Sequence, residues 1–372
     1  MFRRKQLLKN VFGGDHKKHV LLSYIRAVFD QNNYRDSKSH TNYHTTYCIA
    51  RQLDALGYNV DVVDWQQNYL GDYSKYSLVV GLGKTLDQIL CTRRTNTPKV
   101  VWFGTGCNPQ FSNIETMRRL KAFYEKTGVM AFESTRFVKE DTPLQHELAD
   151  GIILHGAEFA MSTYSNENIT PVLGPVHILN ESIPEKDFSR VKNNYLWFGS
   201  GGLIHKGLDL AIESFMKRPN LHLKICGDIE RESSFYEVYK DKISITENIS
   251  YHGFVDINSN EFLHIMQDTA FIVYPSVSEG NSPSVLTCMA NGGLIPIVSQ
   301  GADLERMLKT EIIQIEDLTV DSIIAALDRS QKLTESDMTD ASIRIANYTK
   351  CNHSFQAFEN SIYNSLNNLM TE

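Results

Sequence analysis

Residues Ala270–Ser299, AFIVYPSVSEGNSPSVLTCMANGGLIPIVS, read as strand, acidic loop, helix and strand in one short segment, and that order decides the fold class. Ala270 to Tyr274 is the kind of apolar run that forms a strand buried in a parallel sheet, and Pro275 ends it because proline has no amide hydrogen to give the ladder. Ser282 is a good N-cap residue, Pro283 suits the first helical position, and Ser284 to Asn291 continue as a helix that Gly292 and Gly293 close. Such a helix start points free amides toward the place where open α/β sheets bind ligands, and it attracts a phosphate or another anion. Gly280, Asn281, Ser282, Ser284, Val285 and Thr287 are therefore candidate ligand-binding residues. Glu279 would repel an anion unless it faces another part of the ligand, such as sugar hydroxyls, which donate hydrogen bonds. The alternative is a carboxylate that merely complements the helix dipole.

The totals bound what this segment belongs to. A chain of 372 residues is long enough for two domains, and 42% hydrophobic with 22% charged residues is ordinary for a soluble globular protein. A net charge of -7 and a pI near 6.0 exclude a typical nucleic-acid binder, which carries a basic excess or stripe. No stretch approaches the length of a membrane span and the N-terminus lacks the apolar core of a signal peptide, so a cytoplasmic protein is expected. The six cysteines include no C-x-x-C pair, which favours buried free thiols over zinc ligands or disulfides.

Upstream, Arg3, Arg4, Lys5, Lys9, Lys17 and Lys18 mark a basic N-terminus that either rests on an anionic membrane surface or is simply solvated. His19 to Ile25, Val60 to Val63, Tyr76 to Leu82 and Lys99 to Phe103 are buried strands, with a helix over Thr41 to Leu56 ended by Gly57. This alternation opens a doubly wound domain. His40, Thr41, Asn42 and His44 place polar groups at a helix mouth facing the expected cleft, either as site residues or as local caps. No Glu or third ligand accompanies the two histidines, which argues against a metal. Gly83-Lys84-Thr85 ends like a phosphate-binding ATPase loop, but Leu78 stands where its first glycine is required. The tips at Leu82 to Lys84 and Gly104 to Gly106 are expected to line the cleft. Met117 to Lys126 is helical, with its charges read as a solvated face. Ala149 to Tyr164 reads strand then helix, with His155 and Glu158 at the strand end as cleft or capping residues. Residues 179–193 form the linker, and from 194 the strand and helix alternation restarts. In its first loop Ser200, Gly201 and Gly202 allow close backbone approach to a ligand, and Lys206 supplies a mobile point charge for a diphosphate. Phe355, Phe358, Ile362, Leu366 and Leu369 recur at helical spacing, a core stripe on the last helix.

The segment PSVSEGNSPSVLTCMANGGLIPIVS resembles the donor-binding segment of the retaining GT-B glycosyltransferases of family 4, whose pattern is a Glu, seven residues and a second Glu. Glu279 matches the first. The second falls at Thr287, which makes one hydrogen bond where a carboxylate would accept from both ribose hydroxyls. FGSGGLIHKGLDLAIESF resembles that family's phosphate loop, although the Arg that usually precedes the Lys is absent, leaving His205 or a residue of the other domain to supply the charge. KICGD and ISYHGFVD resemble the base-binding side, which brings in Gly227, Gly253 and Phe254.

The resemblance implies an α/β GT-B architecture, two doubly wound Rossmann-like domains facing a central cleft. Residues 1–178 are then the acceptor domain, 194–335 the nucleotide-sugar domain, and 336–372 helices of which the last packs back on the first domain. It implies transfer of a sugar, with retention, from a UDP- or GDP-linked donor to a glycan or lipid-linked acceptor, in a setting such as bacterial surface polysaccharide synthesis. Lys206, Glu279 and His44 are its catalytic candidates. The donor is a substrate and no further cofactor is implied. The chain has no Asp-x-Asp, so helix dipole and lysine must stand in for a bridging metal. A catalytically silent nucleotide-sugar or glycan-binding partner, or a GT-B epimerase, are the alternatives.

Overall fold

The computed structural model describes residues 7–30, 41–92, 97–139, 143–304 and 310–371. The basic residues Arg3, Arg4 and Lys5, and His40, lie outside them.

The first part of the chain runs β1 (Leu7–Leu8), β2 (Lys18–Tyr24), α1 (Thr41–Ala55), β3 (Tyr58–Asp64), β4 (Leu78–Gly81), α2 (Lys84–Cys91), β5 (Lys99–Gly104), α3 (Pro109–Thr127), α4 (Pro143–Leu148), β6 (Gly151–His155), α5 (Glu158–Ser162) and β7 (Ile169–Val172). The second runs α6 (Phe188–Val191), β8 (Asn194–Phe198), α7 (Leu208–Met216), β9 (His222–Cys226), α8 (Ser233–Ile245), β10 (Ile249–Gly253), α9 (Asn260–Gln267), β11 (Phe271–Tyr274), α10 (Pro283–Gly292), β12 (Ile295–Ser299), β13 (Ile313–Ile315), α11 (Val320–Ser330), α12 (Glu335–Asn352) and α13 (Phe355–Thr371). The stretch read as linker holds α6, and Pro171 lies in β7, an edge strand where its missing amide costs no ladder bond.

The sheets are two. The first has seven strands in the order β1-β3-β2-β4-β5-β6-β7, all parallel except the edge strand β1. The second has six parallel strands in the order β10-β9-β8-β11-β12-β13. In each, the chain leaves one strand to one side and later returns to the other. The reversals fall between β2 and β4 and between β8 and β11. Crevices open at the carboxyl ends of strands at such points, and ligands bind there. The tips beyond β2 and β4 belong to one crevice. The Ser200–Gly202 loop beyond β8 and the Pro275–Ser282 loop beyond β11 belong to the other.

Two helices tie the domains together. On α13, Phe358, Ile362, Leu366 and Leu369 are buried in the core formed by β2, β3 and α1 of the first domain. Helix α3 is capped by Asn108, whose side chain accepts from the amides of Gln110 and Phe111 at 2.9 and 3.2 Å, and it ends at Gly128 with φ 70°. Its expected solvated face is not wholly solvated. Leu120 and Phe123 sit in the second domain's core, where the Phe123 ring stacks on Phe235 at 6.1 Å. Arg119 is buried beside them, its Nη2 donating to both carboxylate oxygens of Asp209 at 2.8 and 2.7 Å. The helix faces the second domain, and burying its apolar stripe there outweighs the number of charges in its sequence.

Of the six cysteines, all free, Cys48, Cys226 and Cys288 are buried, Cys107 is half-buried, and Cys91 and Cys351 are exposed on helices, so the expectation of buried thiols holds for half of them. No helix among the described residues is long and apolar enough to cross a membrane.

Candidate active site

A cavity of about 730 Å3 opens where the two crevices meet. From the first domain come Tyr24 and Ile25 at the end of β2, Leu82 and Gly83 after β4, Trp102, Thr105 and Gly106 along β5 and its loop, and also Asn42, Trp65, Arg136 and Tyr164. The second domain contributes His205, Ser278, Glu279 and Gly280. Loops expected to line the cleft do so at Leu82, Gly83, Thr105 and Gly106.

Glu279 is the charged centre of this cavity. Ser276 Oγ donates to its Oε1 at 3.1 Å, and Arg136, on the loop after α3, donates to its Oε2 at 3.3 Å. Burial pushes the carboxyl pKa up. Arg136, Lys206, His205 and Ser276 together outweigh that and hold it below the ordinary value, so Glu279 is a carboxylate. Lys206 is buried, with Nζ 3.3 Å from Ser200 O and 3.2 Å from Ser200 Oγ. Burial pulls its ammonium down to about 8 against the opposing attraction of Glu279, and Arg136 adds to the fall. His205 lies between Thr116 Oγ1, 2.9 Å from Nδ1, and Ser278 O, 2.8 Å from Nε2. A carbonyl only accepts, so Nε2 carries the proton and Nδ1 accepts from the Thr116 hydroxyl. Burial moves its pKa down to about 4, which makes His205 neutral and removes it as a second cation.

The two backbone cradles differ from expectation. In the glycine-rich loop the amides of Gly202 and Leu203 already donate to the buried carboxylate of Glu232. At α10, Asn281 N–H donates to Asp303 Oδ2 at 3.2 Å and Ser282 N–H to Ala302 O at 3.0 Å, and the Ser282 side chain makes no capping bond. The amides of Asn281 and Ser282, two of those expected to be free, are thus spoken for. Ser284 and Val285 start the helix behind them, and Thr287 sits buried one turn on.

Asn281 and Gly280 belong to the seam between domains. Asn281 accepts from Gly174 N–H at 3.2 Å through Oδ1, and Asp303 accepts from Ala157 N–H at 2.7 Å and Ala160 N–H at 3.0 Å, capping α5 of the other domain. A Cβ on Gly280 would stand 2.4 Å from His155 O and 2.5 Å from Gly106 Cα, a contact that only glycine permits. Capping of α5 therefore comes from Asp303 rather than from His155, and Glu158 points outward to solvent.

His44 is a correction. It is not among the cavity residues. It is buried beneath α13, its ring 4.3 Å from Phe355, with Nε2 3.7 Å from Glu359, because burying the apolar stripe of α13 on α1 covers that helix face. Among the described residues of that helix mouth, Asn42 reaches the cavity. Gly227 N–H donates to Gly253 O at 2.7 Å, and Phe254 is 77% exposed just after β10.

Comparison with protein-family models and with curated proteins yields no match. Solved structures do match over nearly the whole chain. A glycosyltransferase from Rickettsia africae superposes with a TM-score of 0.56 at 11% identity, covering 96% of this chain and 100% of that one. Anabaena HepE in complex with UDP gives 0.56 at 11%, covering 94% and 100%. The α,α-trehalose 6-phosphate synthase from Burkholderia multivorans gives 0.56 at 7%, covering 95% and 99%.

The chain has the GT-B fold.

Within this GT-B frame, Arg136, Trp65, Trp102, Tyr164, Glu232 and Asp303 are the residues that sequence reasoning passed over. Trp102 was legible as part of a strand but not as a cavity wall. Arg136 sits in a stretch, FESTRFVKED, with no periodicity to read. The orphan among them is Trp102 Nε1, which is buried with no hydrogen-bond partner among the described residues. Also among the described residues, no group of three His, Cys, Asp or Glu side chains is arranged to hold a metal.

Proposed function

We propose that this protein is a retaining glycosyltransferase that moves a sugar from a nucleotide-sugar donor to a glycan acceptor without a metal. The carrying observation is that Glu279 and Arg136 pair in a cavity between two GT-B crevices whose other wall is aromatic, with the buried Lys206 near enough to act on the charge of Glu279. UDP is the favoured nucleotide of the donor, since HepE is described with UDP and with UDP-glucose.

In this reading the bond from the anomeric carbon to the diphosphate breaks, and a bond to the acceptor hydroxyl oxygen forms on the same face. The hydroxyl proton passes to the departing phosphate oxygen. Negative charge grows on the diphosphate, and Lys206 is the buried cation placed to meet it. Glu279 accepts from donor sugar hydroxyls. Trp65 and Tyr164, partly exposed, offer flat faces to acceptor sugar rings, with the nearly buried Tyr24 and Trp102 also on that wall, a combination suited to a glycan. A lipid-linked glycan, a role in surface polysaccharide synthesis, and contact of the N-terminal basic residues with the inner membrane face complete the reading. Co-sedimentation with anionic vesicles at rising salt tests the last.

The test is transfer of labelled sugar from UDP- and GDP-sugars to oligosaccharide acceptors by the wild-type chain and by Glu279→Ala and Lys206→Ala. Unchanged transfer in both variants would end the assignment of this site. The carboxylates already seated on the cradle amides, together with Thr287, favour one rival, a silent nucleotide-sugar binder. That rival predicts a thermal shift with UDP but no turnover, whereas turnover of donor without acceptor would point to the epimerase.

A further inference from the structure

A diphosphate in this cavity meets a shortage of positive charge. The loop amides of Gly202 and Leu203 are held by Glu232, those of Asn281 and Ser282 by Asp303 and Ala302, and His205 is neutral through its hydrogen bonds to Thr116 and Ser278. Lys206 alone does not balance a diphosphate. Two cations line the cavity itself, Arg136 and Lys139, and Arg136 is the one paired with Glu279. Arg136 comes from the first domain, and its side-chain methylenes lie over Gly202, where a built Cβ would stand 2.5 Å from Arg136 Cγ and 2.8 Å from its Cδ. The guanidinium is thereby fixed over the glycine-rich loop at its root. Its tip stays half exposed, and the tip's partner is a single oxygen of Glu279 at 3.3 Å, a long contact that leaves most of the five N–H donors uncommitted to it.

We propose that Arg136 is the second cation of the donor's diphosphate site, supplied across the cleft from the first domain, and that the Glu279 carboxylate stands in for the diphosphate until the donor arrives. The proposal rests on the glycosyltransferase reading above. When the donor binds, phosphate oxygens take over the guanidinium through paired N–H bonds, and the released Glu279 turns its oxygens to the hydroxyls of the sugar. One ion pair thus serves two states. In the free protein it satisfies a buried carboxylate that would be costly alone, and in the complex each partner goes to the ligand group of matching charge. Because Arg136 and Lys206 come from different domains, the diphosphate is gripped only when the domains are in the seated arrangement.

Calorimetric titration of the full chain with UDP and with UMP tests this, with melting temperature as a fold control. Arg136→Gln is expected to weaken UDP by roughly tenfold to a hundredfold while changing UMP by less than about threefold, the loss expected of one charge-assisted contact to the second phosphate. Arg136→Lys should recover part of the loss, since it restores the charge without the fork. Glu279→Gln should move the other way and tighten UDP while slowing transfer, because the competitor for Arg136 is gone. A structural role for Arg136 would weaken UDP and UMP alike. UDP affinity equal to wild type in Arg136→Gln, or weaker UDP binding in Glu279→Gln, overturns the proposal and leaves the glycosyltransferase reading standing. If the wild type binds neither UDP nor GDP at millimolar concentration, both fall.

Discussion

The first-domain wall of the cavity carries Tyr24, Trp65, Trp102 and Tyr164 with the cations Arg136 and Lys139, whereas the second-domain wall carries His205 and Glu279, with Lys206 and Glu232 buried outside the lining, each already held by a neighbour. The first wall mainly defines shape, and the second holds buried charge. A charged wall exposed to a narrow cavity must be balanced before any ligand is present, or the desolvation of its groups would oppose folding. The aromatic wall has no such requirement, since flat apolar faces lose little by waiting for a partner. The charged wall therefore spends its backbone cradles on internal carboxylates, while the shaped wall keeps an indole N–H unsatisfied.

The two walls face one cavity only while the domains stay in register, and the largest expected effect attacks that. Arg119→Ala leaves Asp209 buried without its partner and should lower stability by about 3–5 kcal/mol, read by chemical denaturation. A loss below about 1 kcal/mol would show that the seam does not rest on this pair. On the charged wall, Lys206→Ala should cost a factor of roughly 10²–10³ in kcat with the melting temperature retained. A comparable loss caused only by a raised KM would move Lys206 from leaving-group stabilisation to ground-state binding. On the shaped wall, Trp65→Ala should raise the acceptor KM by about tenfold and leave UDP affinity unchanged, on the scale of one lost stacking face. An effect on UDP of the same size would mean that the walls are not separate in function.

The smallest effect concerns pH. In the free protein the Lys206 ammonium titrates near 8, lowered mainly by burial, with Glu279 and Glu232 opposing and Arg136 adding to the fall. An anion binds the charged form and raises that pKa. UDP affinity should accordingly be flat through this group below pH 8 and fall above it, by at most about tenfold per pH unit. Lys206→Arg, which stays charged, should flatten the profile. Calorimetry between pH 7 and 9.5 decides it.

The sheets and their crossing points were legible because strands buried on both faces leave uninterrupted apolar runs such as AFIVY and KVVWF, and because Pro275, Pro283 and Gly293 punctuate the helix between β11 and β12. Glu279 and Lys206 could be read from their loops for the same reason. Arg136, Glu232 and Asp303 could not. Each acts on residues more than twenty positions away along the chain or in the other domain, and such partners leave no local pattern. His44 was misplaced because a helix mouth in sequence has several sides. The one it occupies is decided by α13, whose stripe arrives some three hundred residues later.

The seating of α3 has a consequence in time. During synthesis Leu120 and Phe123 leave the ribosome with the first domain, but their partners Phe235 and Tyr239 follow more than a hundred residues behind. At the usual ~5–20 residues per second, that is a wait on the order of ten seconds with an apolar face uncovered. The nascent first domain is thus the stage at which this chain most needs shelter from its neighbours, and slow translation of residues 128–240 would lengthen it.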